Sequence, residues 1–285
     1  MYKKLLFQTN YIKFQQLPLF YRVWMPDKPK GLILLIHGAG EHSGHYSLMG
    51  MECLKRNIAL IAPDLRGFGH SGGHRCHVHK FQEYLQDLHQ FLIHARRQYS
   101  GLPVFLCGYS LGGLIVIRYI QHFFYEPTGV ILCSPAIGIR YKIPYLLKRF
   151  AELTSILVPR LCLEAFESNK TLDKFRFQSR FPDWTAEMMK DPMIFKYTLR
   201  WFTELLRNGT KALKEASKFH FPALCLFDLD DPVVDSEKIQ KFHETISSSD
   251  KANIVFSQGN HQYLNHHRAL EQIFQWLSPR LCKKR

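Results

Sequence analysis

The stretch LPVFLCGYSLGGLIVIRYIQHFF, residues 102–124, joins a strand-like apolar run to a helix-like run through the motif Gly-Tyr-Ser-Leu-Gly. The first run is continuously apolar, which is typical of a strand buried on both faces of a sheet. A serine hydroxyl is a weak nucleophile, and a sharp turn between a strand and a helix exposes it beside the N–H groups of the helix. The motif therefore predicts that Ser110 is a nucleophile and not merely a helix cap.

Other short runs rich in Val, Ile, Leu and Phe occur along the chain, at 31–38, 57–64, 129–136, 221–228 and 253–259. Helical patterns separate them, and the clearest is an apolar face that begins at Phe81 and ends at Ala95. Alternating strands and helices imply a mostly parallel sheet with right-handed crossovers, so the class is α/β. The segment around LPLFYRVWMP, residues 17–26, predicts antiparallel strands at one edge of this sheet.

The alternation stops between residues 137 and 220, where amphipathic helical patterns replace the strands. We interpret 137–220 as a helical cap inserted over the carboxyl edge of the sheet, and 1–136 with 221–285 as the core domain. The insertion holds 16 Lys and Arg against 9 Asp and Glu, a net charge of +7 out of +14 for the chain. Its apolar residues either line an acyl tunnel or pack the cap on the core: Ile156, Leu157, Phe195, Leu199, Trp201 and Phe202.

A nucleophilic serine needs a base, and His261 follows the last apolar run in a Gly-Asn turn, over the predicted carboxyl edge of the sheet. The run 221–228 ends in the aspartates Asp228, Asp230 and Asp231. The chain order of serine, acid and histidine is one that serine hydrolases use. An aspartate of this cluster is therefore expected to orient His261, and the spacing alone leaves the choice among the three open.

The oxyanion of an acyl-transfer reaction needs two backbone N–H donors. The residue directly after the nucleophile, Leu111, supplies one of them in this type of turn. The second is expected from the loop LLIHGAGEHSGHY, residues 34–46, where glycines on both sides of Ala39 let the backbone approach the substrate. We therefore predict that the N–H groups of Ala39 and Leu111 form the oxyanion hole.

Two metal-dependent alternatives are weaker. The segment LFDLDDPVVDS, residues 226–236, is similar to the DxD motif of haloacid dehalogenase-type phosphatases, but Pro232 replaces the usual Thr and no second acidic pair follows to hold magnesium. The cluster His74, Cys76, His77 and His79 offers zinc ligands, but four ligands within six residues do not easily close a tetrahedron. We predict a solvated loop there and expect no metal or cofactor.

Composition limits the partners and the compartment. The seven cysteines are scattered and mostly lie in apolar runs, which indicates reduced thiols in a cytoplasmic compartment. A net charge of +14 favours polyanions. No recognition helix, RRM or zinc-finger pattern points to nucleic acid, so peripheral contact with an anionic membrane surface is the expected role of the charge. No stretch approaches the roughly 18 apolar residues of a membrane span.

Over nearly its whole length the chain resembles the monoacylglycerol lipase and lysophospholipase group of α/β-hydrolases. The motifs that carry the resemblance are HGAGEHSGHY (37–46), PDLRGFGHSGG (63–73), GLPVFLCGYSLGG (101–113), DPM (191–193), DPVVD (231–235) and GNH (259–261). The resemblance implies the α/β-hydrolase fold, with a mostly parallel central sheet flanked by helices and a helical cap. It also implies a Ser110, Asp231 and His261 triad, because relatives place the acid three residues after a glycine that is Asp228 here.

The resemblance further implies a serine ester hydrolase that acts on long-chain lipid monoesters, either monoacylglycerol or lysophospholipid. Relatives bind glycerol with a Glu and an Arg of the loop after the first parallel strand, and the matching positions are Glu41 and His45. A His that relatives carry three residues after the catalytic one is Leu264 here. The alternatives are a general carboxylesterase of the same fold and a lipid-binding protein without catalysis. The sequence gives no oligomeric state.

Overall fold

The computed structural model describes residues 7–123, 125–162 and 197–281 of the chain. One eight-stranded sheet organises these residues. Its strands are β1 (Gln8–Phe14), β2 (Leu17–Trp24), β3 (Gly31–Ile36), β4 (Ile58–Pro63), β5 (Val104–Tyr109), β6 (Gly129–Cys133), β7 (Ala223–Asp228) and β8 (Lys251–Phe256). The α-helices of the described residues are α1 (Ser47–Lys55), α2 (Gln82–Gln98), α3 (Leu111–His122), α4 (Tyr145–Leu157), α5 (Leu199–Lys214), α6 (Ser236–Thr245) and α7 (His267–Leu281).

The strands follow the order β1-β2-β4-β3-β5-β6-β7-β8 across the sheet. All neighbours from β4 to β8 are parallel, whereas β1 and β2 pair antiparallel at one edge. Each predicted apolar run forms a strand, and the predicted α/β-hydrolase fold is confirmed. Because parallel strands share a direction, the loops after β3, β5, β7 and β8 meet at one edge of the sheet.

Both faces of the central strands β3 to β7 are covered, which explains why these strands are unbroken apolar runs in the sequence. Side chains of β5 alternate between two buried layers. Leu106 packs in the layer that contains α2 and α3, whereas Phe105 and Cys107 pack in the layer that contains α1 and α7. Burial of one such large apolar side chain contributes about 1.5–3 kcal/mol, so the two layers hold the strand ends at fixed positions.

The predicted insertion contains α4 and α5, which pack against each other through a hydrogen bond of 3.1 Å between the buried hydroxyls of Thr203 and Ser155. The motif DPM (191–193) and Phe195 lie outside the described residues. Within the described ranges, none of the helices combines the length and apolarity that crossing a membrane requires. The described cysteines are free, and all but Cys162 are buried; Cys282 is not described.

Candidate active site

Ser110 stands in a strained turn between β5 and α3. Its backbone has φ of 50° and ψ of −113°, a conformation that side-chain-bearing residues rarely adopt. Glycines make the turn possible by close packing: a Cβ on Gly108 would stand 2.5 Å from the carbonyl oxygen of Gly112, and one on Gly112 would stand 2.0 Å from that of Ile36. The start of α3 thus rests against the end of β3, and Ser110 is held at the carboxyl edge of the sheet.

His261 lies in the loop after β8, and it reaches Ser110 from the far side of β6 and β7. Its Nε2 is 3.0 Å from Oγ of Ser110, and its Nδ1 is 2.7 Å from Oδ2 of Asp231. All three side chains are buried. The structure therefore brings together the serine, histidine and aspartate predicted as the triad, in one line of hydrogen bonds.

Asp231 keeps its carboxylate oriented with backbone donors. Oδ1 accepts hydrogen bonds from the N–H groups of Val233 and Val234, at 2.8 and 3.0 Å, which leaves Oδ2 for His261. The loop is clamped from the insertion side, where the Arg140 guanidinium donates to the carbonyl oxygen of Asp231 at 2.7 Å. These bonds hold the Asp231 carboxylate where its Oδ2 reaches His261.

The other two aspartates of the cluster face different partners. Asp230 is exposed, and its carboxylate accepts a hydrogen bond from the Ser257 hydroxyl at 2.9 Å. Asp228 is fully buried and binds backbone N–H groups of the loop that carries His261. Among these three, it is the Asp231 carboxylate that contacts His261.

The two residues predicted to supply the oxyanion donors follow neighbouring strands, Ala39 after β3 and Leu111 after β5. Leu111 is the first residue of α3, so its N–H is among those without a partner inside the helix. Gly40, directly after Ala39, has φ of 72°, a left-handed conformation that glycine adopts without strain.

Glu41 and His45, predicted to bind substrate, lie in the same loop as Ala39. The Glu41 carboxylate is buried and accepts hydrogen bonds from the Tyr46 hydroxyl and, at 3.2 Å, from the amide of Gln262, the residue after His261. Burial raises the pKa of Glu41 above its ordinary value. His45 is half-buried, with its ring 4.3 Å from that of His42.

The predicted solvated loop around His74 was wrong at Cys76 and His77, because both residues are buried. Nδ1 of His77 is 2.9 Å from the Thr198 hydroxyl, and the Thr198 N–H donates to the Cys76 carbonyl oxygen at 3.1 Å. Desolvation lowers the pKa of His77 to about 4. In the part of the chain that the structure describes, no three His, Cys, Asp or Glu side chains are grouped to hold a metal.

The insertion residues predicted to line a tunnel or pack the cap are divided in the structure. Leu199 and Trp201 are buried, and the Trp201 indole donates to the Tyr84 hydroxyl at 3.0 Å, so these two pack on the core. Ile156 and Leu157 are 60% and 82% exposed. Phe202 is half-buried against the core, and Phe195 lies outside the described residues.

Tyr197 is a site neighbour that sequence reasoning missed. Its hydroxyl lies 2.8 Å from where a Cβ would stand on Gly40, and its ring is 4.4 Å from that of Trp201. The phenol therefore covers the loop that carries Ala39. No motif marks this tyrosine in the sequence, because its neighbours belong to the insertion, which lacks the strand pattern that located the other site residues.

A model of the family described as serine aminopeptidase, S33, matches residues 27–268. The chain belongs to this family. Phospholipase YtpA of Bacillus subtilis, a similar protein, is 30% identical over 232 residues, which are 80% of this chain and 86% of that protein. Human monoglyceride lipase is 29% identical over 247 residues, which are 85% of this chain and 79% of that protein.

A solved structure similar to this S33-family chain is that of Paleococcus ferrophilus monoacylglycerol lipase. It superposes with a TM-score of 0.79 at 26% identity, over 92% of this chain and 99% of that one. The comparisons confirm the predicted group, the monoacylglycerol lipases and lysophospholipases among α/β-hydrolases. They also confirm the predicted enzyme class, a serine ester hydrolase.

Proposed function

We propose that the protein hydrolyses long-chain lipid monoesters, monoacylglycerol or lysophospholipid, through an acyl-enzyme on Ser110. The observation that carries the proposal is the buried line of hydrogen bonds from Ser110 through His261 to Asp231. The proposal includes the division into a core, residues 1–136 and 221–285, and a cap, residues 137–220. The names of the relatives, phospholipase and monoglyceride lipase, support the substrate class.

The reaction proceeds in two halves. Ser110 Oγ attacks the ester carbonyl while His261 Nε2 takes its proton, and Asp231 stabilises the imidazolium that forms. His261 then gives the proton to the departing alcohol, which leaves the acyl group on Ser110. Water attacks this ester in the second half, with His261 again as the base, and the fatty acid leaves. Neither half of this reaction needs a metal or a cofactor.

Electrostatic stabilisation comes from the two strand ends beside Ser110. The N–H groups of Ala39 and Leu111 bind the oxyanion in both halves of the reaction, assisted by the positive end of the α3 dipole. Glu41 and His45 form the polar end of the site. Support for this role is the hydrogen bond from Gln262 to Glu41, which joins the Glu41 loop to the residue next to His261.

The outer surface of the insertion supports contact with an anionic membrane. Among the α4 residues only Ser155 is buried. Large apolar side chains of α4 are therefore exposed: Tyr145, Leu146, Leu147, Phe150, Leu153, Ile156 and Leu157. The exposed cations Lys142, Arg149 and Arg160 stand beside this apolar surface. An amphipathic helix with a basic margin is typical of proteins that rest on anionic lipid.

The test compares wild type with Ser110→Ala, His261→Ala and Asp231→Asn on monooleoylglycerol, lysophosphatidylcholine and p-nitrophenyl butyrate. We expect Ser110→Ala and His261→Ala to have a turnover on the order of 10⁴-fold or more below that of wild type. Asp231→Asn should lower turnover by about 10⁴-fold. A fluorophosphonate probe should label wild type at Ser110.

The same assay separates the alternatives. Preference for p-nitrophenyl butyrate over both lipids would indicate a general carboxylesterase. Lipid binding without hydrolysis, and without fluorophosphonate labelling, would indicate a binding protein and contradict the proposal. The ratio of the rates on the two lipids assigns the headgroup.

A further inference from the structure

Asp228 is a fully buried carboxylate at the last residue of β7 that the proposed reaction does not use. Its Oδ2 accepts hydrogen bonds from the N–H groups of Gln258 and Asn260, at 2.9 and 3.2 Å, and from the Tyr263 hydroxyl. Its Oδ1 accepts the N–H of Asp230 at 2.8 Å. One carboxylate thus meets four donors.

The donors belong to the two loops that carry His261 and Asp231. Gln258 and Asn260 form the turn directly before His261, and Tyr263 follows it by two residues. Asp230 directly precedes Asp231. Since His261 and Asp231 must stay at hydrogen-bond distance, a group that binds both loops fixes the separation on which that bond depends.

Further contacts hold the loops after β7 and β8 together, and we call the place where they meet the joint. The Tyr263 ring is fully buried and stacks on Phe256, the last residue of β8, with centroids 4.0 Å apart. The Leu229 N–H donates to the Phe256 carbonyl oxygen at 2.9 Å. The donors around Asp228 are therefore held by the ends of β7 and β8, and the carboxylate is the polar centre of a rigid joint.

We infer that Asp228 is a positioning residue, which acts through His261 and Asp231 and not on the substrate, and this inference rests on the proposed function. A carboxylate suits the place because it accepts hydrogen bonds on both oxygens. An amide offers one acceptor oxygen and one NH₂ group. Asparagine at 228 would therefore turn a donor toward at least one backbone N–H, and the loops would separate.

Asp230 provides a matched control in the same turn. Asp230→Asn removes the same charge and makes the same chemical change, but this side chain is exposed and accepts a hydrogen bond from the Ser257 hydroxyl. An effect of net charge near His261 would appear in both variants. Asparagine at 230 keeps one oxygen that can accept the hydrogen bond from Ser257, so an effect of loop position would appear only in Asp228→Asn.

The experiment measures kcat and KM for a p-nitrophenyl ester, per active site titrated with a fluorophosphonate. Per titrated site, we expect Asp228→Asn to lower kcat by about 10- to 100-fold with KM within about twofold, because a displacement near 1 Å costs on this order. Asp230→Asn should stay within about twofold of wild type. Tyr263→Phe keeps the carboxylate and removes one donor, so its kcat should fall by about three- to tenfold.

Titration separates positioning from mere stability, because a purely structural residue changes the number of active sites and not the kcat of each. An unchanged kcat per site in both Asp228→Asn and Tyr263→Phe overturns the inference, and so does an equal loss in Asp230→Asn. If Asp228→Asn does not fold, Tyr263→Phe decides alone. Failure of wild type to be titrated or to turn over would instead contradict the proposed function.

Discussion

Asp228, Asp230 and Asp231 occupy one turn but face three different environments. Asp231 faces His261, Asp228 faces the backbone of the next loop, and Asp230 faces solvent and a serine hydroxyl. The same residue type thus orients an imidazole, binds two loops or remains at the surface, according to where its carboxylate points. Burial raises the pKa of Asp228, but the hydrogen bonds from Tyr263 and the backbone outweigh it, and the net pKa is lowered.

This lowered pKa predicts an acid-dependent loss of stability. As pH falls, the Asp228 carboxylate of the unfolded chain is protonated near pH 3.9, whereas that of the folded chain is protonated at a lower pH. The unfolding free energy therefore rises with pH between the folded and the unfolded pKa of Asp228. The contribution of Asp228 is therefore fully present above about pH 4 and is lost as pH falls through its folded pKa. Urea unfolding should show Asp228→Asn less stable than wild type at pH 7, with the difference shrinking toward pH 3.

Asp230→Asn is again the control, since it removes an exposed carboxylate of the same turn. The prediction fails if the stability difference between wild type and Asp228→Asn is the same at both pH values, because the difference would then not arise from ionisation of this carboxylate.

At the residue scale, sequence reasoning located Ser110 and His261 because each follows an apolar strand in a glycine-containing turn. It could not choose among the aspartates, since one turn of chain is too short for spacing to distinguish them. The resemblance selected Asp231, and the structure adds the reason: only its Oδ2 reaches the imidazole. The burial of Asp228 was not predictable, because three of its four donors lie 30 to 35 residues further along the chain.

At the scale of elements, polar contacts join α5 to the loop between β4 and α2. Thr198 caps this helix, since its hydroxyl accepts the Trp201 N–H at 3.2 Å, and the same hydroxyl meets His77 of the core loop. One turn later the Glu204 carboxylate accepts the Phe81 N–H at 2.9 Å, at the start of α2. The beginning of α5 is therefore fixed on the loop between β4 and α2.

We predict that Thr198→Val lowers the unfolding free energy by about 1–3 kcal/mol. The substitution removes the cap of α5 and also the hydroxyl to which the buried His77 is hydrogen-bonded. Urea denaturation measures the change. The control is Thr210→Val, which makes the same substitution at an exposed position of α5 and should stay within about 0.5 kcal/mol of wild type. Equal effects of both would show that the His77 contact contributes nothing beyond helix propensity.

The elements themselves were predictable to different degrees. Strands β3 to β7 were evident because burial on both faces demands continuous apolar runs, whereas β8 at the sheet edge is partly exposed. The loop at 74–79 was predicted to be solvated because its His and Arg residues are polar. Thr198, which forms hydrogen bonds with His77 and with the Cys76 carbonyl oxygen, lies more than 120 positions further along the chain. The sequence near residues 74–79 does not indicate a contact with a residue so far along the chain.

At the scale of the whole molecule, the apolar side chains of the central strands are buried, whereas those of α4 are exposed. The core layers bury the side chains of β3 to β7 almost completely, while α4 leaves Leu146, Leu157 and Phe150 at 79%, 82% and 67% exposure. Large contiguous apolar patches on a soluble surface indicate an interaction site. The net charge of +14 adds long-range attraction to an anionic surface, whose strength falls as salt screens it.

We therefore predict that the protein binds vesicles containing phosphatidylserine and that Leu146→Glu weakens this binding by about 10- to 100-fold. The lost burial of one leucine is worth about 1.5–3 kcal/mol, and the added carboxylate is repelled by the lipid. Hydrolysis of a soluble p-nitrophenyl ester should remain unchanged, because α4 is outside the hydrogen-bonded line of Ser110, His261 and Asp231.

The matched control for this variant is Tyr11→Glu, which places the same charge at an exposed apolar position of β1, at the far edge of the sheet. Co-sedimentation with vesicles at low and high salt measures the binding. If α4 inserts into the interface, Leu146→Glu loses binding at both salt concentrations while Tyr11→Glu retains it. If net charge alone holds the protein on the lipid, both variants weaken alike and high salt releases wild type completely, which would contradict docking through α4.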